Sequence, residues 1–160
     1  MRQKTLAIWL KIIIIGVSLS CAAIYAWAIP SLGMTIIEAE GQEYESFFWP
    51  WLIFLIGTAV PICIAMVLAW NIAENIGKDK SFSIANAKLL KWIAILAGID
   101  CAYFFTGNIV LLFLNMNHPG VLLLSMIVLF VGAAVAVAAA ALSHLVRKAA
   151  ELQEQSDLTI

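Results

Sequence analysis

Residues 121–145 read VLLLSMIVLFVGAAVAVAAAALSHL, a stretch without a single Lys, Arg, Asp or Glu. A helix needs about 20 apolar residues to cross the ~30 Å hydrocarbon core of a bilayer, and this stretch is longer than that. Three more apolar stretches of sufficient length lie at about residues 12–29, 48–73 and 89–114. Backbone hydrogen bonds must close within each span in lipid, so we predict four transmembrane helices.

The composition of the whole chain supports a membrane protein. Of its 160 residues, 64% are apolar and only 12% are charged. An ordinary soluble domain has roughly 25% charged residues, which it needs to cover its surface. The composition therefore excludes a soluble enzyme, a nucleic-acid-binding module and a disordered tail as descriptions of the whole chain. The lipid bilayer is its first expected partner, and no direct binding of nucleic acid is expected.

The positive charges predict an orientation. The nine Lys and Arg residues fall at the N-terminus, in the loop between the second and third spans, or at the C-terminal end: Arg2, Lys4, Lys11, Lys78, Lys80, Lys88, Lys91, Arg147 and Lys148. Four spans place these segments on one side, which the positive-inside rule makes cytoplasmic. We therefore predict an all-α integral membrane protein, an antiparallel four-helix transmembrane bundle with both termini in the cytoplasm. Residues 1–148 would form the transmembrane domain and residues 149–160 a cytoplasmic tail.

Small residues at four-residue spacing recur in three spans, at Ala65, Ala69 and Ala73, at Ala94, Gly98 and Ala102, and at Gly132, Ala136 and Ala140. Such ladders let helices approach closely in lipid. They indicate either packing within the chain or a dimerisation face, which leaves a homo-oligomer open. Pro61 removes a backbone donor inside the second span and should kink it, either as a hinge or simply as shape.

Two polar residues of the third span are candidates for an intramembrane site. Asp100 lies about 13 Å along the helix axis from Lys91, which places it near the middle of the membrane. Intramembrane carboxylates are costly and usually face the bundle interior. Asp100 is interpreted as a proton or ligand site, or as a structural group bonded to hydroxyls such as Ser18, Ser20 or Thr58. Asn108 lies two turns further along the same broad face.

Other chemistry is weakly indicated. The outward loop at residues 31–47 carries no Lys or Arg but includes Glu38, Glu40, Glu43 and Glu45, which would bind a cation or cationic peptide, or simply reflect a translocated loop. No phosphate loop, His-Glu-x-x-His or Cys-x-x-Cys motif is present. We therefore expect no enzyme activity, no catalytic residues, no metal site and no cofactor.

Two segments on the predicted cytoplasmic side carry more pattern than membrane anchoring requires. In the loop, Ser81-Phe82-Ser83 is followed by Asn86 and Leu90-Lys91, and Ser83 is a suitable N-cap for the helix that leads into the third span. The tail contains Glu154 and ends in Asp157-Leu158-Thr159-Ile160.

These residues resemble a family of small bacterial membrane proteins catalogued as domain of unknown function 2975. The family pattern has a Pro in the second span, a loop similar to residues 81–91 and a tail ending in Asp-Leu-Thr plus an aliphatic residue. The resemblance implies four spans in a bacterial cell membrane and no established activity. It also implies a partner, because such genes often lie beside one for a small helix-turn-helix regulator.

Three functional hypotheses follow. The leading one is a non-enzymatic membrane sensor or regulator that engages such a regulator through its cytoplasmic loop and tail. The residues expected to contact the partner are Ser81, Phe82, Ser83, Asn86, Glu154, Asp157, Leu158, Thr159 and Ile160. The alternatives are immunity against membrane-active peptides through the acidic loop, and a small transport or channel component that uses Asp100.

Overall fold

The computed structural model describes residues 3–40 and 45–157, which form helices joined by short turns. In chain order these are α1 (Gln3–Ala23), a π-helical segment (Ile24–Ala28), α2 (Ile29–Glu40), α3 (Glu45–Gly77), α4 (Ile84–Phe113) and α5 (Pro119–Asp157). The first three elements run on without interruption as one long helix. The described residues thus contain four helices long and apolar enough to cross a membrane, and no strand. The prediction of an all-helical chain with four spans is confirmed.

The first helix continues beyond its predicted end. We expected it to stop near residue 29, before Pro30, with a loop over residues 31–47. Instead the chain stays helical to Glu40. Pro30 has no N–H, and its ring would collide with the carbonyl four residues earlier in a regular α-helix. The π-helical segment absorbs this conflict, because the N–H of Ile29 bonds to the carbonyl of Ile24, five residues back.

The other helices also extend past their predicted spans. The predicted span at residues 89–114 lies inside α4 except for Leu114, which is the C-cap. α5 continues through residues 149–157 without a break, so the tail is not a separate element as far as Asp157. Glu43 and residues 158–160 lie outside the described residues, as do the side chains of Glu40 and Asp157.

Within the described residues, each long helix packs closely only against its neighbours in the chain. Between α3 and α4, Asn75 bonds to Asn86 at one end, while Tyr103 bonds to the carbonyl of Phe54 towards the other. Between α4 and α5, the hydroxyl of Ser143 donates to the carbonyl of Ala87 (2.7 Å), and the thiol of Cys101 approaches the carbonyl of Leu129 (3.9 Å).

Small residues serve packing within the chain at several of these contacts. A Cβ at Gly132 would lie 2.6 Å from the sulfur of Cys101, so this member of the α5 ladder faces α4. Ala73 of the α3 ladder is buried. The α4 ladder differs, because nothing lies within 4 Å of a Cβ at Gly98 and Ala102 is exposed. Oligomerisation through that face stays a prediction.

Much of the apolar surface of the helices faces outward. Trp27, Phe113 and Phe130 are 73%, 83% and 77% exposed. The small cluster of buried residues lies near one end, where Ala87, Leu90 and Val146 pack with Ile72. In water such exposed surface would be unfavourable, whereas lipid solvates it as well as a protein core would.

Candidate functional site

The loop between α3 and α4 is built from local signals. α3 ends in a Schellman motif, in which the N–H of Lys80 bonds to the carbonyl of Asn75 (3.0 Å) and the N–H of Asp79 bonds to the carbonyl of Ile76 (3.1 Å). Asp79 takes the left-handed conformation that this motif needs (φ 59°). α4 then begins at the predicted N-cap, since the hydroxyl of Ser83 accepts a hydrogen bond from the N–H of Asn86 (3.2 Å).

The buried side chain of Asn86 stabilises this loop through hydrogen bonds. This side chain is only 1% exposed. The amide nitrogen donates to the carbonyls of Lys80 (3.0 Å) and Ser81 (3.1 Å), and the amide oxygen accepts from the side chain of Asn75 (2.8 Å). Asn86 was expected to contact a partner directly. The structure corrects this assignment: the side chain is buried and its bonds are directed into the loop, so it shapes the surface without being part of it.

The loop and the last turns of α5 line one open groove of about 580 Å³. Its walls also include the start of α1, where the hydroxyl of Ser81 donates to the side chain of Gln3 (2.8 Å). We call this the loop–tail groove, and its lining residues are Gln3, Asp79, Lys80, Ser81, Phe82, Ser83, Ile84, Ala150, Gln153 and Glu154. Phe82 is 59% exposed, which is unusual for an aromatic side chain on a surface that lies outside the predicted spans.

The groove brings together four of the residues predicted to bind a partner: Ser81, Phe82, Ser83 and Glu154. The sequence did not predict the other six lining residues, which are Gln3, Asp79, Lys80, Ile84, Ala150 and Gln153. Helical periodicity offered a signal for Gln153, because it lies one turn beyond Ala150. No local signal exists for Gln3, which comes from the opposite end of the chain.

Asp100 and Asn108 do not form one site. Asn108 is 1% exposed, and its side chain bonds to the carbonyl of Phe104 (2.9 Å) and to the amide of Asn117 (3.2 Å) in the turn before α5. One carboxyl oxygen of Asp100 is buried without a hydrogen-bond partner among the described residues. Asn108 thus supports a turn, whereas Asp100 is the intramembrane polar group whose bonding is incomplete.

Two of the three hydroxyls expected near Asp100 donate to backbone carbonyls of their own helices. Ser20 donates to the carbonyl of Gly16 (2.9 Å), and Thr58 donates to the carbonyl of Leu55 (2.7 Å). Thr58 also shares a 2.6 Å hydrogen bond with the hydroxyl of Tyr25, which joins the π-helical segment to α3. Tyr25 was missed by the sequence reasoning, because nothing near it in the chain indicates a polar contact.

Pro61 lies inside α3, and the helix continues on both sides of it. Its role as a hinge stays a prediction. Among residues 3–40 and 45–157, no three His, Cys, Asp or Glu side chains are placed to hold a metal ion.

The helices and the exposed apolar surface define a multi-pass helical membrane protein. Residues 32–160 match the family model described as Protein of unknown function (DUF2975), and the chain belongs to this family. The chain is also 25% identical over 157 residues to the "Uncharacterized membrane protein YoaS" of Bacillus subtilis (strain 168), covering 96% of each chain. No solved structure matches. The predicted family resemblance is confirmed.

Proposed function

We propose that this protein is a non-enzymatic membrane regulator that holds a small cytoplasmic helix-turn-helix protein in the loop–tail groove. The observation that carries the proposal is the convergence of loop and tail on one open surface with an exposed aromatic side chain, Phe82. Exposed aromatic side chains with a polar rim are typical of protein-binding sites. The class of partner comes from the family resemblance.

The proposal includes an orientation. We infer an antiparallel bundle in the bacterial cell membrane with both termini in the cytoplasm. Two contacts support it, because the hydrogen bond from Ser81 to Gln3 joins the loop to the N-terminal helix, and Glu154 lines the same groove. The three Lys- and Arg-bearing segments therefore lie at one end, as the positive-inside rule requires of a cytoplasmic face.

The groove offers both an apolar contact and charges. Phe82 and Ile84 provide apolar surface. On the same lining Lys80 carries a positive charge, and Asp79 and Glu154 carry negative charges. A partner that inserts an apolar side chain beside Phe82 would be oriented by these three charges. Such a rim sets specificity and association rate more than affinity.

Site-specific photocrosslinking in living cells tests the proposal. A photoreactive residue at Gln153, which lines the groove, should crosslink a small DNA-binding protein identified by mass spectrometry. The same residue at Leu152 is the matched control, because that side chain is exposed but does not line the groove. Equal crosslinking from both positions, or none from Gln153 and Phe82, would overturn the proposal.

A truncation adds a second test. Stopping the chain after Leu152 removes Gln153 and Glu154 but keeps Ala150, which is buried. This variant should insert normally and lose the crosslink from Phe82. A stop after Lys148 would be a poorer choice, since it also removes Ala150 and so disturbs the packing of α5.

A further inference from the structure

A second groove lies between α1 and α3. It is within the predicted spans, on a surface that would face lipid. It has a volume of about 370 Å³ and is open on one side. We call it the α1–α3 groove, and its lining residues are Ile14, Ile15, Ser18, Leu19, Met66, Val67 and Trp70. Only Ser18 among them carries a hydroxyl, so the lining is almost entirely apolar.

The groove exists because the two helices meet on either side of it. Near one end, a Cβ at Gly77 would lie 3.2 Å from the Cβ of Ala7, which is a close approach. Further along, Tyr25 bonds to Thr58. Between these two contacts the small side chain of Ser18 does not fill the gap to α3, and the groove remains.

A positive charge stands at the entrance to the α1–α3 groove. The Lys11 ammonium lies 4.9 Å from the centre of the Trp70 ring, a cation–π contact. Glu74 also interacts electrostatically with Lys11, but its carboxylate is bonded to Lys78 at 2.7 Å. The local sum of these three charges is one positive charge, which favours an anion beside Lys11.

The groove is long enough to hold part of a lipid chain. On α1 its lining runs from Ile14 to Leu19, five residues or about 7.5 Å along the helix axis, and Lys11 lies three residues before Ile14. One leaflet of a bilayer has a hydrocarbon thickness of about 15 Å, half of the ~30 Å core. An acyl chain that enters beside Lys11 would therefore follow the groove through about half of its leaflet.

We propose that the α1–α3 groove binds one anionic glycerophospholipid, with an acyl chain along Ser18 and Trp70 and its phosphate beside Lys11. The positive charge at the entrance matches the anionic phosphate of such a lipid, and the apolar lining matches its acyl chain. This site is independent of the loop–tail groove, and neither proposal needs the other.

Native mass spectrometry of the full chain in detergent tests the proposal with phosphatidylglycerol and phosphatidylcholine as probes. Wild-type protein should retain one phosphatidylglycerol with about fivefold preference over phosphatidylcholine, the size expected for one lysine near an anionic lipid. Lys11→Gln should abolish that preference, whereas the control Lys91→Gln, about two turns into α4, should keep it. Equal retention of both lipids by wild-type protein would overturn the charge recognition.

A pair of Phe substitutions tests whether an acyl chain occupies the groove. Ser18→Phe should fill the groove and lose the retained lipid of either headgroup, whereas Val17→Phe, at an exposed neighbouring position, should not. Quenching of Trp70 fluorescence by brominated phosphatidylglycerol, in a variant with the other tryptophans replaced by Phe, gives an independent reading. The proposal would be overturned if Ser18→Phe retained the lipid. It would also be overturned if two copies carrying Ser18→Cys formed a disulfide with each other and lost the lipid.

Discussion

The two turns that flank α4 share the same backbone motif but differ in what packs against them. Both begin with a Schellman motif whose left-handed residue is not glycine, Asp79 in one (φ 59°) and Asn115 in the other (φ 56°). Both are bonded to a buried asparagine of α4, Asn86 or Asn108. The first turn lines the loop–tail groove, whereas an aromatic cluster packs beside the second.

Aromatic packing explains the difference. Beside the second turn, the indole of Trp51 donates to the carbonyl of Met116 (2.6 Å). The Phe54 ring lies 5.7 Å from the Trp51 ring and 5.7 Å from the Phe104 ring. At the first turn the aromatic side chain, Phe82, points to the surface instead. Equivalent backbone motifs therefore have different surroundings. An aromatic cluster packs beside the second turn, although Phe113 before that turn is 83% exposed, whereas Phe82 at the first turn lines the loop–tail groove.

The largest expected loss of stability comes from replacing the two buried asparagines, Asn86 and Asn108. Asn86→Ala removes three side-chain hydrogen bonds and leaves the half-buried amide of Asn75 without its partner. We expect a loss of about 3 kcal/mol in the free energy of unfolding. Asn108→Ala should cost about 2 kcal/mol, because it breaks fewer bonds between separate parts of the chain. Unfolding in mixed detergent micelles measures both.

Ser81→Ala is the control for this pair, since it removes only an exposed hydrogen bond to Gln3 and should cost less than about 0.5 kcal/mol. If Asn86→Ala costs no more than this control, the buried asparagine does not hold the loop.

A glycine pair in α4 tests the packing of the aromatic cluster beside the second turn. A Cβ at Gly107 would collide with the ring of Phe54, whereas a Cβ at Gly98 meets nothing within 4 Å. Gly107→Ala should therefore cost about 2 kcal/mol through overpacking. Gly98→Ala should be neutral or gain up to about 1 kcal/mol from helix propensity. Equal effects on the thermal unfolding midpoint would show that the aromatic cluster does not set the packing at this end.

The smallest expected effect concerns the left-handed residues. Asp79→Gly and Asn115→Gly should each stabilise the protein by about 0.5 kcal/mol, because glycine adopts positive φ without steric cost. Asp79→Ala should instead destabilise it by about 1 kcal/mol. Unfolding in mixed detergent micelles compares the two turns. A loss of stability in either glycine variant would contradict the Schellman motif assigned to that turn.

Local features could be predicted well. The four helices follow from apolar length, and the N-cap at Ser83 follows from a residue type whose side chain bonds to a backbone three positions away. The helical path through Pro30 could not be predicted, because Pro usually ends a helix and the π-helical segment that accommodates it has no sequence signal here. The role of Asn86 was also misjudged, since a polar residue in a loop looks exposed until its neighbours are known.

The amino-acid sequence by itself determined the class of protein, because lipid selects helices by apolar length alone. The tertiary structure decided which polar residues are structural and which surfaces are open. Asn86 is buried only because α3 turns back beside it, and Gln3 joins the loop–tail groove only because the first helix packs on α3. Such contacts join residues far apart in the chain, and their side chains meet only once the helices have packed.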